Sequence, residues 1–140
     1  MNKHKNPNIW GPPFWFTLHT ICQHYPSYPN SVIKKKYYDF ISNIPLFLPN
    51  EPIGDKFAEL LDKYPLNPYL DSKNKLCKWI HFIHNQINTR TNKPPMPYHE
   101  YTALYDSYYI TKTPTKKSNI ISFSIIITSF IAIIIYLHKL

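Results

Sequence analysis

The residues that could do chemistry lie in two groups that mix aromatic rings with polar side chains. The first group is Trp10, Gly11, Trp15, His19 and Tyr25. The second group is Trp79, His84, Asn85, Asn88 and Lys93. His84 and Asn88 are four residues apart and therefore share one face of a helix. Aromatic walls with such polar groups suit a ligand that carries ring nitrogens, carbonyls and phosphates, and Lys93 could reach a phosphate.

Two other interpretations of these residues are open. An ordinary core, in which buried histidine and asparagine side chains find protein partners, explains the same spacing. Spacing alone slightly favours that ordinary core. We predict no metal site, because the histidines are scattered and no cysteine or carboxylate completes a set of ligands.

Prolines divide the chain into five predicted helices. Helix 1 is expected to start after Pro12-Pro13, since proline suits a first helical turn, and to run to about Tyr25. Ser31 is the expected cap of helix 2, and Pro45 is its expected end. Helix 3 is expected from about Glu51 to Lys63. Asp71-Ser72 caps helix 4, which is expected to end before Lys93, and helix 5 is expected from Tyr98 to Tyr109.

Apolar residues at spacings of three and four give each helix a face toward a shared core. The residues predicted to face inward are Phe14, Trp15, Leu18, Ile21, Cys22 and Tyr25 in helix 1, Val32, Tyr37, Phe40, Ile41 and Ile44 in helix 2, Phe57, Leu60 and Leu61 in helix 3, and Leu76, Trp79, Ile80, Ile83 and Ile87 in helix 4. No strand is compelling. The predicted fold class is therefore an all-α bundle.

The two groups resemble the motifs of the Erv/ALR family of FAD-linked sulfhydryl oxidases. That family carries WGxxxWxxLH, a following YP, and later WxxxxHNxVNxxxxKP. This chain has WGPPFWFTLH from Trp10 to His19 and HNQINTRTNKP from His84 to Pro94. The resemblance covers about Trp10 to Tyr105. It is strongest to versions encoded by large DNA viruses, which often add a terminal membrane segment.

The resemblance implies a four-helix bundle with a short fifth helix, usually a homodimer, with FAD between the helices. The first histidine would stack or bond at the adenine, and the polar residues of helix 4 would hold the ribose and pyrophosphate. The residues implied in FAD contact are Gly11, Trp15, His19, Tyr25, Trp79, His84, Asn85, Asn88 and Lys93. The family reaction converts thiols of proteins, or of a thiol-carrier protein, to disulfides and reduces oxygen to hydrogen peroxide.

The chain departs from the family at the redox centre. Family members place a CxxC after a proline, and its thiols pass electrons to the flavin. Here the segment after Pro49 aligns without a gap and Phe57 keeps its place, but Asn50 and Ile53 occupy the two cysteine positions. Neither side chain can form a thiolate or a disulfide. We predict no intact catalytic residues and weak or absent oxidase activity. The alternative is a non-catalytic, membrane-tethered interaction or assembly protein that pairs with an active paralogue.

The chain's two cysteines, Cys22 and Cys77, belong to no CxxC and are too few for a disulfide scaffold. Buried, inert thiols are the first interpretation. Cys22 comes one turn after His19 and Cys77 comes two residues before Trp79, so a contact is possible. That contact would not by itself place them at the reactive edge of a flavin.

An uncharged run of 18 residues extends from Ile120 to Leu137. As a helix it would span about 27 Å, enough for the hydrocarbon layer of a membrane. A buried core helix or an amyloid-prone strand is the alternative. No signal peptide is visible, so we expect a tail anchor. Three lysines precede the run and only Lys139 follows it, which favours a cytoplasmic domain on a host or virion membrane. The expected organisation is an extension 1–9, an FAD-binding helical domain 10–110, a linker 111–119 and a transmembrane helix 120–137.

The net charge of +8 does not indicate a nucleic-acid partner. Of the 16 basic residues only Arg90 is an arginine. Lysine lacks the planar fork with which arginine binds phosphate and guanine, so we predict no nucleic-acid binding. The run Lys34-Lys35-Lys36 is more consistent with a solvated helix face.

Overall fold

Five α-helices and a short 3-10 turn follow one another in the computed structural model, which describes residues 5–49 and 51–110. The elements are α1 (Pro7–Gln23), α2 (Ser31–Phe47), α3 (Glu51–Lys63), the 3-10 turn (Asn67–Tyr69), α4 (Lys73–Arg90) and α5 (Tyr98–Tyr109). No strand occurs in these ranges, so the all-α prediction is confirmed. The expected bounds of α3 and α5 are confirmed as well. Ser72 caps α4 as predicted, and its hydroxyl accepts a hydrogen bond from the Lys75 amide.

The start of α1 differs from the prediction. The helix begins at Pro7, where the Asn6 side chain accepts a hydrogen bond from the Asn8 amide and caps the first turn. Pro12 and Pro13 therefore lie inside the helix rather than at its start. Each of them lacks the amide proton that a helix interior needs, which is why such a pair in a sequence indicates a helix N-terminus. The cap at Asn6 and the preset φ of Pro7 supply an earlier start.

Helix α2 also corrects the sequence analysis. Its N-cap is Asn30, whose side chain accepts from the Ile33 amide, and Ser31 is the first helical residue. Pro45 lies inside the helix, which continues to Phe47. The predictions for Ile41 and Ile44 are confirmed, since both are buried. The inward predictions for Val32 and Phe40 were wrong, because both side chains are exposed.

The core lies where α1 packs on α4, α3 packs on α4 and α2 packs on α3. The predicted inward residues of α4 are all buried, and the same cluster contains Trp15, Leu18 and Cys22 of α1 and Tyr25, which follows the end of α1. Helices α2 and α3 approach closely at Gly54, where an added methyl carbon would lie 2.8 Å from the Pro45 carbonyl oxygen.

Helix α4 ends where Asn92 adopts a left-handed backbone conformation with φ of 57°, which asparagine tolerates better than most residues. The chain up to Asp106 forms one compact unit. Within residues 5–49 and 51–110, none of the helices combines the length and the apolar character that crossing a membrane requires. The predicted transmembrane helix at 120–137 and the linker at 111–119 lie outside the described residues.

Candidate functional site

The two motifs meet in a cluster of aromatic and imidazole rings between α1 and α4. The rings of Trp15 and His84 stack with their centres 3.9 Å apart and an angle of 9° between their planes. Nε2 of His19 lies 3.0 Å from Nδ1 of His84. Trp15 and His19 reach the same partner because they are one turn apart on α1. We call these three side chains, together with Tyr101 of α5, the aromatic–imidazole cluster.

Helix α5 completes this cluster with two tyrosines that the sequence analysis did not single out. The Tyr101 hydroxyl lies 2.7 Å from Nδ1 of His19, and the Tyr105 ring packs with its centre 4.7 Å from that of His19. Tyr101 is separated from His19 by 82 residues along the chain. The only signal in the sequence was the spacing of four between the two tyrosines, which places them on one face of α5.

Both histidines of the cluster are uncharged at neutral pH. Burial lowers the pKa of His19 to about 2, with a further contribution from the neighbouring His84 and His81. Burial also lowers the pKa of His84 to about 4, with smaller contributions from His81 and Lys93. The cause is the same in both cases, since a low-dielectric interior disfavours the charged imidazolium.

The hydrogen bonds join these side chains in one chain that has two consistent proton arrangements. Burial raises the pKa of Tyr101, so its hydroxyl stays protonated and can either donate to or accept from Nδ1 of His19. When Tyr101 donates, His19 Nε2 donates to Nδ1 of His84; when Tyr101 accepts, His84 Nδ1 donates to Nε2 of His19. In both arrangements Nε2 of His84 lies outside these hydrogen bonds.

Three of the residues predicted to contact FAD use their polar side-chain groups in hydrogen bonds to backbone atoms of other segments. The Tyr25 hydroxyl donates to the Leu70 carbonyl at 2.7 Å. The Trp79 indole donates to the Tyr64 carbonyl at 3.2 Å. The Asn85 side chain both donates to and accepts from the backbone of Met96, at 2.9 and 3.0 Å. These hydrogen bonds stabilise the fold, and none of the three side chains belongs to the aromatic–imidazole cluster; their contact with FAD stays a prediction.

The end of the site formed by the start of α1 and the end of α4 has unused hydrogen-bonding capacity. The contacts of Trp15 and Cys22 with α4 make the two helices antiparallel, which puts Trp10 and Arg90 at the same end. Among the described residues, Trp10 Nε1 and Arg90 Nη1 are buried donors without a hydrogen-bond acceptor. Such donors are uncommon in native proteins because each costs about 1–3 kcal/mol. We call this region the open end of the site.

Other predicted contacts lie toward the open end. Gly11 is buried, yet a methyl carbon added there would meet no atom of another element within 4 Å. The side chain of Asn88 makes no hydrogen bond to the part of the chain that the structure describes. The backbone carbonyl of Asn88 accepts a hydrogen bond from the Lys93 amide at 2.8 Å. Lys93 itself is exposed. Near the unpaired donors, Gly11 therefore leaves space, Asn88 supplies an amide and Lys93 supplies a positive charge.

Ile53, one of the two expected redox-cysteine positions, lies on α3, the helix that packs against Trp15 through Phe57. Phe57 of α3 stacks on Trp15 with ring centres 6.2 Å apart. Ile53 is one turn earlier on α3 and is buried. Asn50 lies outside the described residues. Cys22 and Cys77 are at a different place, where their Sγ atoms face each other across α1 and α4 at 3.0 Å.

The fold and the site together define a class of protein, an all-α helical bundle with a cluster of aromatic and imidazole side chains between its first and fourth helices. Residues 12–107 match the Erv1 / Alr family, and the chain belongs to that family. The resemblance predicted from the two motifs is therefore confirmed.

Individual relatives agree with this assignment. The chain is 35% identical over 115 residues to a protein of Acanthamoeba polyphaga mimivirus named "Probable FAD-linked sulfhydryl oxidase", which covers 81% of this chain and 78% of that protein. It is 30% identical over 97 residues to the FAD-linked sulfhydryl oxidase of African swine fever virus, isolate Pig/Kenya/KEN-50/1950, with 69% and 80% covered. The crystal structure of the FAD binding domain of Erv1 from Saccharomyces cerevisiae has the same fold, with a TM-score of 0.58 at 23% identity over 62% of this chain and 81% of that one.

Proposed function

We propose that this chain binds FAD between α1 and α4 and has little or no thiol oxidase activity of its own. The observation that carries the binding proposal is the pair of buried donors without acceptors, Trp10 Nε1 and Arg90 Nη1, at the open end of the site. Phosphate and ribose oxygens are the acceptors that such donors need. The names of the two viral relatives state that those proteins are FAD-linked.

The aromatic–imidazole cluster has the chemistry that a ring system of FAD requires. Neutral His84 keeps Nε2 outside the hydrogen bonds of the cluster, so it can exchange a hydrogen bond with a ring nitrogen or carbonyl without placing a charge against it. Trp15 and His84 at present cover each other's faces, so a ring must either displace that stack or bind along its edge. The space beside Gly11 and the amide of Asn88 fit the ribose and phosphate part of the cofactor.

The binding proposal is tested by the visible spectrum of the purified full-length chain, with free FAD added and then removed by gel filtration. We expect a retained flavin absorbance. Replacing His84 and Asn88 together with alanine should abolish it, whereas His99→Ala, on an exposed part of α5, should not. A wild-type chain that stays colourless after exposure to FAD would contradict the proposal.

The proposed lack of oxidase activity follows from the residues at the two expected cysteine positions. Bound FAD would supply a two-electron acceptor for thiols. Asn50 and Ile53 contribute no sulfur, so electrons would have to come from thiols in solution. A neighbouring dithiol removes that encounter step, and such proximity is worth up to about 7–11 kcal/mol in favourable cases. Its absence therefore reduces turnover by orders of magnitude.

Oxygen consumption with dithiothreitol tests this second half of the proposal. The wild-type chain should be no faster than the same concentration of free flavin. Asn50→Cys combined with Ile53→Cys should raise the rate by orders of magnitude if FAD is bound. The matched control is Asn50→Ser with Ile53→Ser, which has the same size and no thiol. Fast wild-type turnover would contradict the proposal.

A non-catalytic role in assembly is the second candidate, and the surface of α2 favours it. Phe47 is 80% exposed, and Phe40 lines an apolar groove together with Phe14 of α1. Apolar groups exposed side by side are typical of interaction surfaces. A second copy of this chain or a paralogue with an intact CxxC is the proposed partner. Phe40→Ser with Phe47→Ser should lower the mass measured by sedimentation, whereas Tyr28→Ser, at a residue 97% exposed in a loop, should not.

We also propose that residues 120–137 anchor the chain in a membrane with the helical domain in the cytoplasm, on the basis of the uncharged run and the lysines before it. Deleting residues 120–140 should move the protein into the soluble fraction after alkaline carbonate extraction. A shortened chain that still sediments with membranes would contradict the anchor. Protease protection in sealed vesicles tests the side of the membrane on which the helical domain lies.

A further inference from the structure

The two cysteines of this chain face each other in the core. Cys22 of α1 and Cys77 of α4 are 1% and 3% exposed, and their Sγ atoms are 3.0 Å apart. That separation is only about 1 Å longer than a disulfide bond. Burial alone does not require such a contact, since a single buried cysteine packs as a small apolar residue.

We propose that Cys22 and Cys77 form a disulfide that cross-links α1 to α4. The cross-link would join the two helices that carry the aromatic–imidazole cluster, one turn beyond His19. It does not depend on the proposed FAD binding. It also differs from the family's redox pair, because Cys22 is two helical turns, or about 10 Å, from Trp15. The expected redox position that the structure describes, Ile53, lies instead on α3, whose Phe57 packs against Trp15.

The hydrogen bonds assign different roles to the two thiols. The Cys22 thiol donates to Sγ of Cys77 at 3.0 Å, and the His19 carbonyl, 3.2 Å from the Cys22 sulfur, is a second acceptor for the same proton. The contact with Cys22 and the positive charge of Lys73 lower the pKa of Cys77, despite its burial. The contact and burial raise the pKa of Cys22. Cys77 is therefore the thiol that ionises first and attacks an oxidant.

The oxidant that we propose is a disulfide of low molecular weight, of the glutathione class. The Cys77 thiolate attacks one of its sulfurs, forms a mixed disulfide and releases one thiolate. Cys22 then loses its proton and attacks the Cys77 sulfur, which releases the second thiolate. Two protein thiols and one disulfide become one protein disulfide and two small thiols. Because both sulfurs are buried, the exchange requires local opening or takes place during folding.

Intact-mass measurement tests the proposal on the full-length chain, which has two cysteines in all. The protein is incubated with oxidised glutathione, unfolded in N-ethylmaleimide and weighed. We expect a chain without adducts and lighter by two hydrogen atoms, and two maleimide adducts if dithiothreitol is added after unfolding. Two adducts without dithiothreitol, or glutathione retained on the wild-type chain, would overturn the proposal. Cys22→Ser and Cys77→Ser are the controls and should each carry one adduct or one glutathione.

The rate of reduction separates a structural cross-link from a catalytic pair. For the cross-link, dithiothreitol should reduce the folded chain slowly, and low concentrations of urea should accelerate the reduction because they favour opening. The oxidised chain should melt at a higher temperature than the reduced chain. The double variant Cys22→Ala with Cys77→Ala should melt at the same temperature with and without dithiothreitol. Rapid reduction that urea does not accelerate would show a reactive pair and would refute a structural role.

Discussion

Acid should destabilise this protein through the two histidines of the aromatic–imidazole cluster. In the unfolded chain each imidazole takes up a proton near its ordinary pKa of 6.5, whereas the fold holds the pKa of His19 at about 2 and that of His84 at about 4. Between these values the unfolded state binds more protons, so the free energy of unfolding rises with pH. The stabilisation is complete above about pH 7 and is lost as the pH falls from about 6.5 toward about 4.

The size of the effect follows from the distance between the pH and the unfolded pKa. At about pH 5 each imidazole is about 1.5 units below that pKa, and one unit corresponds to about 1.36 kcal/mol. His19 and His84 should therefore each lower the free energy of unfolding by about 2 kcal/mol, or about 4 kcal/mol together. That is a large part of the 5–15 kcal/mol that is typical of a domain. Asp71 does not contribute in this range, because its two lysine partners lower its pKa to about 2 and it titrates at lower pH.

Urea unfolding at several pH values between about 5 and about 8 measures this dependence. The slope of the unfolding free energy against pH near pH 5 should approach two protons for the wild type and one proton for either His19→Gln or His84→Gln. His99→Gln is the matched control, since His99 is exposed on α5, and it should keep the wild-type slope. An unchanged slope in both cluster variants would refute the assignment of buried, neutral imidazoles.

Further substitutions test other parts of the structure. Gly54→Ala should lower the free energy of unfolding by about 1–2 kcal/mol, because the added methyl meets an α2 carbonyl oxygen that cannot move away. Gly11→Ala should leave the free energy of unfolding of the FAD-free chain unchanged or raise it, and it should weaken FAD binding. Arg90→Met should stabilise the FAD-free chain by about 1–3 kcal/mol, because it removes an unpaired buried donor, and should weaken FAD binding, as measured by fluorescence titration. Tyr25→Phe should cost about 1 kcal/mol in urea unfolding, since it removes a buried hydrogen bond, and Tyr28→Phe should cost nothing.

The sequence predicted those features that repeat along one helix. The stripe on α4 and the bounds of α5 were correct because periodicity and caps are local properties. Contacts between distant segments left no such trace. Tyr101 binds His19 across 82 residues, and the pairing of Asn85 with the Met96 backbone depends on how the chain turns after α4. The same limitation explains the wrong prediction for Phe40. Its apolar side chain predicted burial, but it is exposed on α2.

The cluster and the open end carry different weight as evidence for a ligand. His19 and Tyr101 are almost fully buried and satisfy each other, so core stability alone is enough to account for them. The same reasoning fails for Trp10 Nε1 and Arg90 Nη1, which are buried without acceptors and therefore lower the stability of the described chain. A ligand that supplies acceptors at this end would offset that cost. The unpaired donors, more than the aromatic rings that first drew attention in the sequence, are the strongest structural argument that the site still binds a cofactor after its redox cysteines were replaced.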